Sequence, residues 1–183
     1  TGMLLMSAGL VTVAPLAAPD GGYLTVLPGI LFLGAGVGLS MSPSTAAITA
    51  SLPEEKQGVA SALNDTVREM GGAVGIALIG SVLNSAYQAN IEPATSALPP
   101  AVAQPVSEGI GGALAVTAQM GAGGTALLDS ARQAFVDGMA PALFLAAGLS
   151  LAAAIYTALR GPKTAAEAEP RLHPTDQSIQ PDS

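Results

Sequence analysis

Polar and apolar residues alternate along this chain in long blocks rather than at short period. Charged residues are absent from positions 1–19, 21–53, 70–91 and 138–159. A bilayer core of roughly 30 Å needs about 20 apolar helical residues. The blocks therefore predict four membrane-spanning helices, at about 2–18, 23–50, 58–87 and 135–159. The first span, "GMLLMSAGLVTVAPLAA", reaches only roughly 25 Å, slightly short of the core. Pro19, Asp20, Gly21 and Gly22 form a turn after it. In the second span Tyr23 suits the membrane interface, and Pro43 is expected to kink the helix. Gly34 and Gly38, four apart, share a face that permits close helix approach.

Residues 51–57, "SLPEEKQ", read as a short polar loop. Residues 88–133 read as a long connection holding Pro93, Pro99, Pro100 and Pro105, then a Gly-rich stretch folded as a surface helical hairpin. The uncharged run 109–128 competes as a further span. Six glycines and the polar Thr117, Gln119 and Thr125 count against it. Residues 161–183 lack apolar periodicity and read as a disordered tail.

Four spans place both ends on one side. Arg160, Lys163, Arg171 and Lys56 would share that side, against Arg132 alone on the other. Basic residues mark the cytoplasmic face, so the tail and the 51–57 loop are expected in the cytoplasm and the 88–133 loop outside the cell. The fold class predicted is an all-α, multi-pass membrane helical bundle of four transmembrane helices, with an external loop carrying short helices. The chain opens on Thr1, inside an apolar run without a basic flank. It is expected to be part of a longer membrane protein.

Composition narrows the function. Only 10% of residues are charged, against about 25% in globular proteins. Six basic residues against 13 acidic ones argue against nucleic-acid binding. The chain has no cysteine, and its single histidine, His173, lies in the tail. A zinc finger, a thiol enzyme and a Ser-His triad within the chain are thereby excluded. No enzyme activity, metal or cofactor is expected.

The charges that need explaining lie at the start of the third span: Asn64, Asp65, Arg68 and Glu69. Asp65 is three residues from Arg68 and four from Glu69, so the three share a helix face. Ionisable groups inside a membrane are costly and face protein or water. Two acids beside one Arg suit proton coupling or substrate gating. Depth offers another reading. Met70 to Tyr87 spans about 27 Å of helix, which places the cluster at the cytoplasmic interface as a brace or latch. Gly71 and Gly75 present a small-residue face for helix contact. Asp137, in the first turn of the last span, is a candidate external acid or a solvated helix-end charge.

The stretch from Pro43 to Ser81, "PSTAAITASLPEEKQGVASALNDTVREMGGAVGIALIGS", resembles the penultimate-helix region of the fourteen-helix drug:proton antiporters of the major facilitator superfamily. Gly58, Ala60, Ser61, Ala62, Asn64, Thr66, Arg68, Gly71, Gly72, Ala73, Gly75, Ala77 and Gly80 match that family's pattern. The long loop and "AFVDGM" at 134–139 resemble it too. Glu69 stands where relatives often carry a neutral polar residue. The resemblance implies a partial major facilitator fold, made of the last four of fourteen helices. It implies export of small amphipathic compounds in exchange for protons by alternating access. Its implied partners are membrane lipid, the remaining N-terminal helices, a small-molecule substrate and protons, in the cell membrane. A four-span scaffold or accessory subunit without transport activity is the alternative.

Overall fold

A computed structural model describes residues 1–18, 21–50 and 56–160, with only the backbone of 42–50. The expectations placed on 19–20, 51–55 and 161–183 lie outside the described residues. Six α-helices follow in order: α1 (Gly2–Val13), α2 (Tyr23–Ala50), α3 (Gln57–Thr95), α4 (Pro100–Glu108), α5 (Ile110–Met120) and α6 (Thr125–Arg160). A single 3₁₀ turn, Gly121–Gly124, joins α5 to α6. Among the described residues there is no strand. The architecture is all-α, and α2, α3 and α6 contain stretches long and apolar enough to cross a membrane.

Helix α1 is shorter than the expected span. Pro15 has no N–H to offer the carbonyl of Val11, and the chain tightens into turns after Val13. Helices α3 and α6 are longer than expected, at 39 and 36 residues. Each is more than 50 Å long at ~1.5 Å per residue. The apolar blocks marked only their lipid-length cores. Beyond Tyr87, a stripe of Tyr87, Ile91 and Thr95 carries α3 onward as an amphipathic helix with that face buried. On α6, Ala131 and Ala134 do the same before the apolar block begins at Gly138, which is itself buried.

In space the order is α2, α1, α6, α3, each packed on the next. Helix α3 runs antiparallel to α6: Gly138 abuts Leu83 and Tyr87, and Asn90, Pro93 and Ala94 line one crevice with Asp129, Ser130 and Gln133. Helices α4 and α5 form a hairpin seated on α3 and α6 at one end. Proline at the first position of α4 costs no hydrogen bond. Gly121, with φ 57° and ψ −133°, turns the chain out of α5 in a conformation that a Cβ would resist. The 109–128 region is thus interrupted rather than one continuous span.

Away from the hairpin, the distribution of residue sizes is the reverse of a water-soluble core. Gly2, Ser7, Gly9, Gly29, Gly36, Ala142 and Ala147 are buried. Leu24, Ile76 and Leu159 are each at least three-quarters exposed. In water such exposure forfeits apolar burial worth about 25 cal/mol per Å². In lipid it forfeits little, and helices associate instead through small residues and polar contacts. At the α1–α2 contact, a Cβ on Gly9 would stand 2.7 Å from the Gly29 carbonyl oxygen, and one on Gly36 2.7 Å from that of Gly2. Backbone rests on backbone there.

A buried hydrogen bond ties α1 to α6: the Ser7 hydroxyl donates to the Ala147 carbonyl at 3.0 Å. Such bonds between membrane helices contribute about 0.6 kcal/mol on average. Ser7→Ala is therefore expected to cost ~1 kcal/mol or less, read as a small shift of the unfolding midpoint in mixed micelles. A loss several times larger would mean that Ser7 does more than join the two helices.

Candidate functional site

The charged group on α3 sits in its first turns. The helix starts at Gln57 after Lys56, with no side-chain cap on its first amides. Thr66 turns its hydroxyl back to the Ala62 carbonyl at 2.8 Å, so it satisfies itself within the helix. Asn64 is half-buried, and Asp65, Arg68 and Glu69 are exposed. The helix places these last three together on one face. Among the described residues they form no ion pair with each other or with another helix. Their charges are therefore available to solvent, lipid headgroups or further protein.

The antiparallel register fixes which end of the molecule they occupy. From the crossing at Tyr87 and Gly138, Glu69 lies 18 residues back along α3, and Arg160 lies 22 residues on along α6. At ~1.5 Å per residue both stand about 30 Å from the crossing. The cluster and Arg160 thus emerge at the same end, one hydrocarbon thickness away from the hairpin.

Asp137 is at the hairpin end and is not brought near the α3 cluster. Its carboxylate accepts a hydrogen bond from the Gln133 amide, 2.8 Å away, one turn earlier on α6. It borders an open crevice of about 540 Å³ between α3 and α6, with Asn90, Asp129 and Ser130. Arg132 contacts Asp129 at 3.6 Å, with both side chains more than half exposed. Exposed pairs of this kind contribute ~0.5 kcal/mol or less. Arg132→Ala is expected to leave the unfolding midpoint within that margin, as checked by thermal unfolding in detergent.

The glycines divide in two. Within this chain a Cβ on Gly34, Gly38, Gly71 or Gly75 meets no atom within 4 Å. Their small faces are directed away from the described helices. The close contact between α1 and α2 is made instead by Gly2, Gly9, Gly29 and Gly36. That signal was legible: Gly2 and Gly9 are seven apart, as are Gly29 and Gly36, two helical turns on one face. Tyr87 and Gln133 were likewise missed, because both lie at the edges of apolar blocks. Among the described residues, no three His, Asp or Glu side chains are grouped to hold a metal ion.

The chain is 42% identical over 130 residues to the multidrug efflux pump LfrA of Mycolicibacterium smegmatis, a match covering 70% of the chain and 26% of that protein. It is 37% identical over 68 residues to the multidrug resistance protein Stp of Mycobacterium tuberculosis, covering 37% of the chain and 13% of Stp. It is 37% identical over 83 residues to the quinolone resistance protein NorB of Staphylococcus aureus, covering 45% of the chain and 18% of NorB. The chain therefore spans about a quarter of LfrA and less than a fifth of the other two. No protein-family model matches the chain, and no solved structure matches it. Three helices of membrane-spanning length and relatives that are transporters make this a membrane protein. Over part of its length the chain is a homologue of multidrug efflux pumps, in keeping with a partial drug transporter of the major facilitator superfamily.

Proposed function

We propose that this chain forms the C-terminal part of a proton-coupled exporter of small amphipathic compounds that works by alternating access. The observation that carries the reading is the 130-residue match to LfrA at 42% identity, on helices whose large apolar side chains face outward. In this reading the segment contributes four spans to a fourteen-helix bundle in the cell membrane. The 161–183 tail and the α3 cluster face the cytoplasm, and the α4–α5 hairpin faces outside. The outward glycine faces at Gly34, Gly38, Gly71 and Gly75 receive helices of the missing part, where close approach favours association in lipid.

Asp65, Arg68 and Glu69 have the gating role, with Asn64 beside them. Three charges at one end of a mobile bundle take one set of partners in one state and another in the next. Asp137 serves as an acid at the outer mouth. The test is efflux of a fluorescent dye from vesicles containing the complete protein under an imposed pH gradient. Accumulation or extrusion that follows the gradient is the expected result. Dye movement that ignores the gradient removes the proton coupling, and no dye movement with any compound tried removes the exporter.

A further inference from the structure

The hairpin is more firmly built than a connecting loop requires. Its core is one buried cluster drawn from four helices: Tyr87 and Ile91 of α3, Val106 of α4, Ala113 of α5, and Ala131 and Ala134 of α6. Ile91, Val106, Ala113 and Ala131 have no accessible surface at all. Within it the Tyr87 hydroxyl donates to the Val106 carbonyl at 2.8 Å, both buried. Val106 is one of the last residues of α4, and the last four carbonyls of a helix have no partner within it. Tyr87 therefore satisfies a buried acceptor that α4 itself leaves open. Gly112 lets α5 lie directly on the Pro105 carbonyl of α4. Gly138 lets α6 lie on the backbone of α3, where a Cβ would stand 3.2 Å from the Leu83 oxygen and the Tyr87 nitrogen.

Beyond that crossing α3 loses its buried face, while α6 keeps Ala142 and Ala147 buried, the latter hydrogen-bonded to Ser7 of α1. From 61 to 81 α3 has no buried residue, and from 148 to 160 α6 has none. Pro141 sits inside α6 three residues past the crossing. It cannot donate to the carbonyl of Asp137, so the helix is weakest against bending there.

We propose that the α4–α5 hairpin is a clamp that holds α3 and α6 together as one body at the Tyr87–Gly138 crossing, and that relative movement of the two helices is confined to the lengths beyond it, with Pro141 as the bending point. A lining cluster alone would make the hairpin a cover. The hydrogen bond into α4 and the backbone approach at Gly138 make it a fastener. The inference concerns which parts move together, and it holds whatever the protein transports and whether or not protons drive it.

The experiment uses the full-length protein in lipid nanodiscs, with cysteines outside these 183 residues replaced; this segment has none of its own. Spin labels are attached at Asn90→Cys with Gln133→Cys, which line one crevice at the clamped end. A second pair is Val67→Cys with Leu159→Cys, both exposed toward the other end. The clamp predicts strong dipolar broadening for the first pair, unchanged when an efflux dye is added, and a distribution for the second pair that is wide or shifts with dye. Tyr87→Phe combined with Gly112→Leu, one removing the latch and the other driving α4 from α5, should abolish the constancy of the first pair. The clamp is overturned if the first pair shifts with dye as much as the second in the unsubstituted hairpin. It is equally overturned if the first pair is unaffected by the double substitution. Dye efflux by the same labelled protein is recorded in parallel, so a failure to transport bears on the exporter and not on the clamp.

Discussion

Replacing Gly29 by leucine is expected to drive α1 from α2 and to remove most of the folded protein from a detergent extract. Gly29 already lies against Val13, and its Cβ position is 2.9 Å from the Gly9 carbonyl oxygen. The obstacle is backbone, which cannot rotate aside as a side chain can. Overpacking a tight site typically costs about 1–3 kcal/mol, and a contact between backbones lies at the upper end of that range. Gly9→Val should act in the same way from the facing helix, since its added atoms meet the Gly29 oxygen and the Leu33 backbone. Gly80→Ala and Gly148→Ala are the controls, because their Cβ atoms enter open space and neither glycine is assigned a contact. Thermal unfolding monitored by size-exclusion chromatography checks the difference. Equal midpoints for Gly29→Leu and Gly148→Ala would show that α1 and α2 do not touch at Gly9 and Gly29.

Neutralising the α3 cluster is expected to have the largest effect on transport. Asp65→Asn, Arg68→Ala and Glu69→Gln in the complete protein should each lower gradient-driven efflux, with Arg68→Ala the most severe. Arg68 is the only basic residue in the described cluster, and without it two carboxylates are left on one helix face. The loss of a contact worth ~1.4 kcal/mol in one conformational state changes the population ratio about tenfold, and efflux by Arg68→Ala should fall by a factor of that order. These three side chains are exposed and without ion partners among the described residues. Their replacement should therefore leave the amount of folded protein near that of the parent. Undiminished efflux in all three variants would reduce the cluster to an anchor at the membrane surface. Loss of folded protein would instead mean that the cluster is braced against helices outside this segment.

The parts of the fold written most clearly in the sequence are those that lipid dictates. An uncharged run such as 138–159 has few alternatives to a spanning helix, and α6 contains it whole. The ends of the long helices were harder to read because water, not lipid, sets their pattern. Tyr87, Ile91 and Thr95 repeat every fourth residue, but Pro93 interrupts the stretch and reads as a terminator. The helix passes through it, since Tyr87 and Ile91 are held on both sides by α4 and α6. Helix α1 erred the other way, because one proline within an apolar run ended regular hydrogen bonding early. Among the candidate site residues, spacing alone placed Asp65, Arg68 and Glu69 on one face. The separation of Asp137 from them was legible as well, because counting spans puts the start of the third and the start of the last at opposite ends.

The length of α3 has a practical consequence. A rod of about 58 Å would have to lean roughly 60° from the bilayer normal to fit inside a hydrocarbon layer of ~30 Å, well outside the 0–40° that membrane helices adopt. With the Met70–Tyr87 stretch in the hydrocarbon, as in the proposed topology, its hairpin-bearing end would stand clear of the detergent belt in a solubilised preparation. That crown, folded around a dry centre of its own, offers a rigid aqueous epitope for antibody fragments used as lattice scaffolds or as fiducials for electron cryomicroscopy.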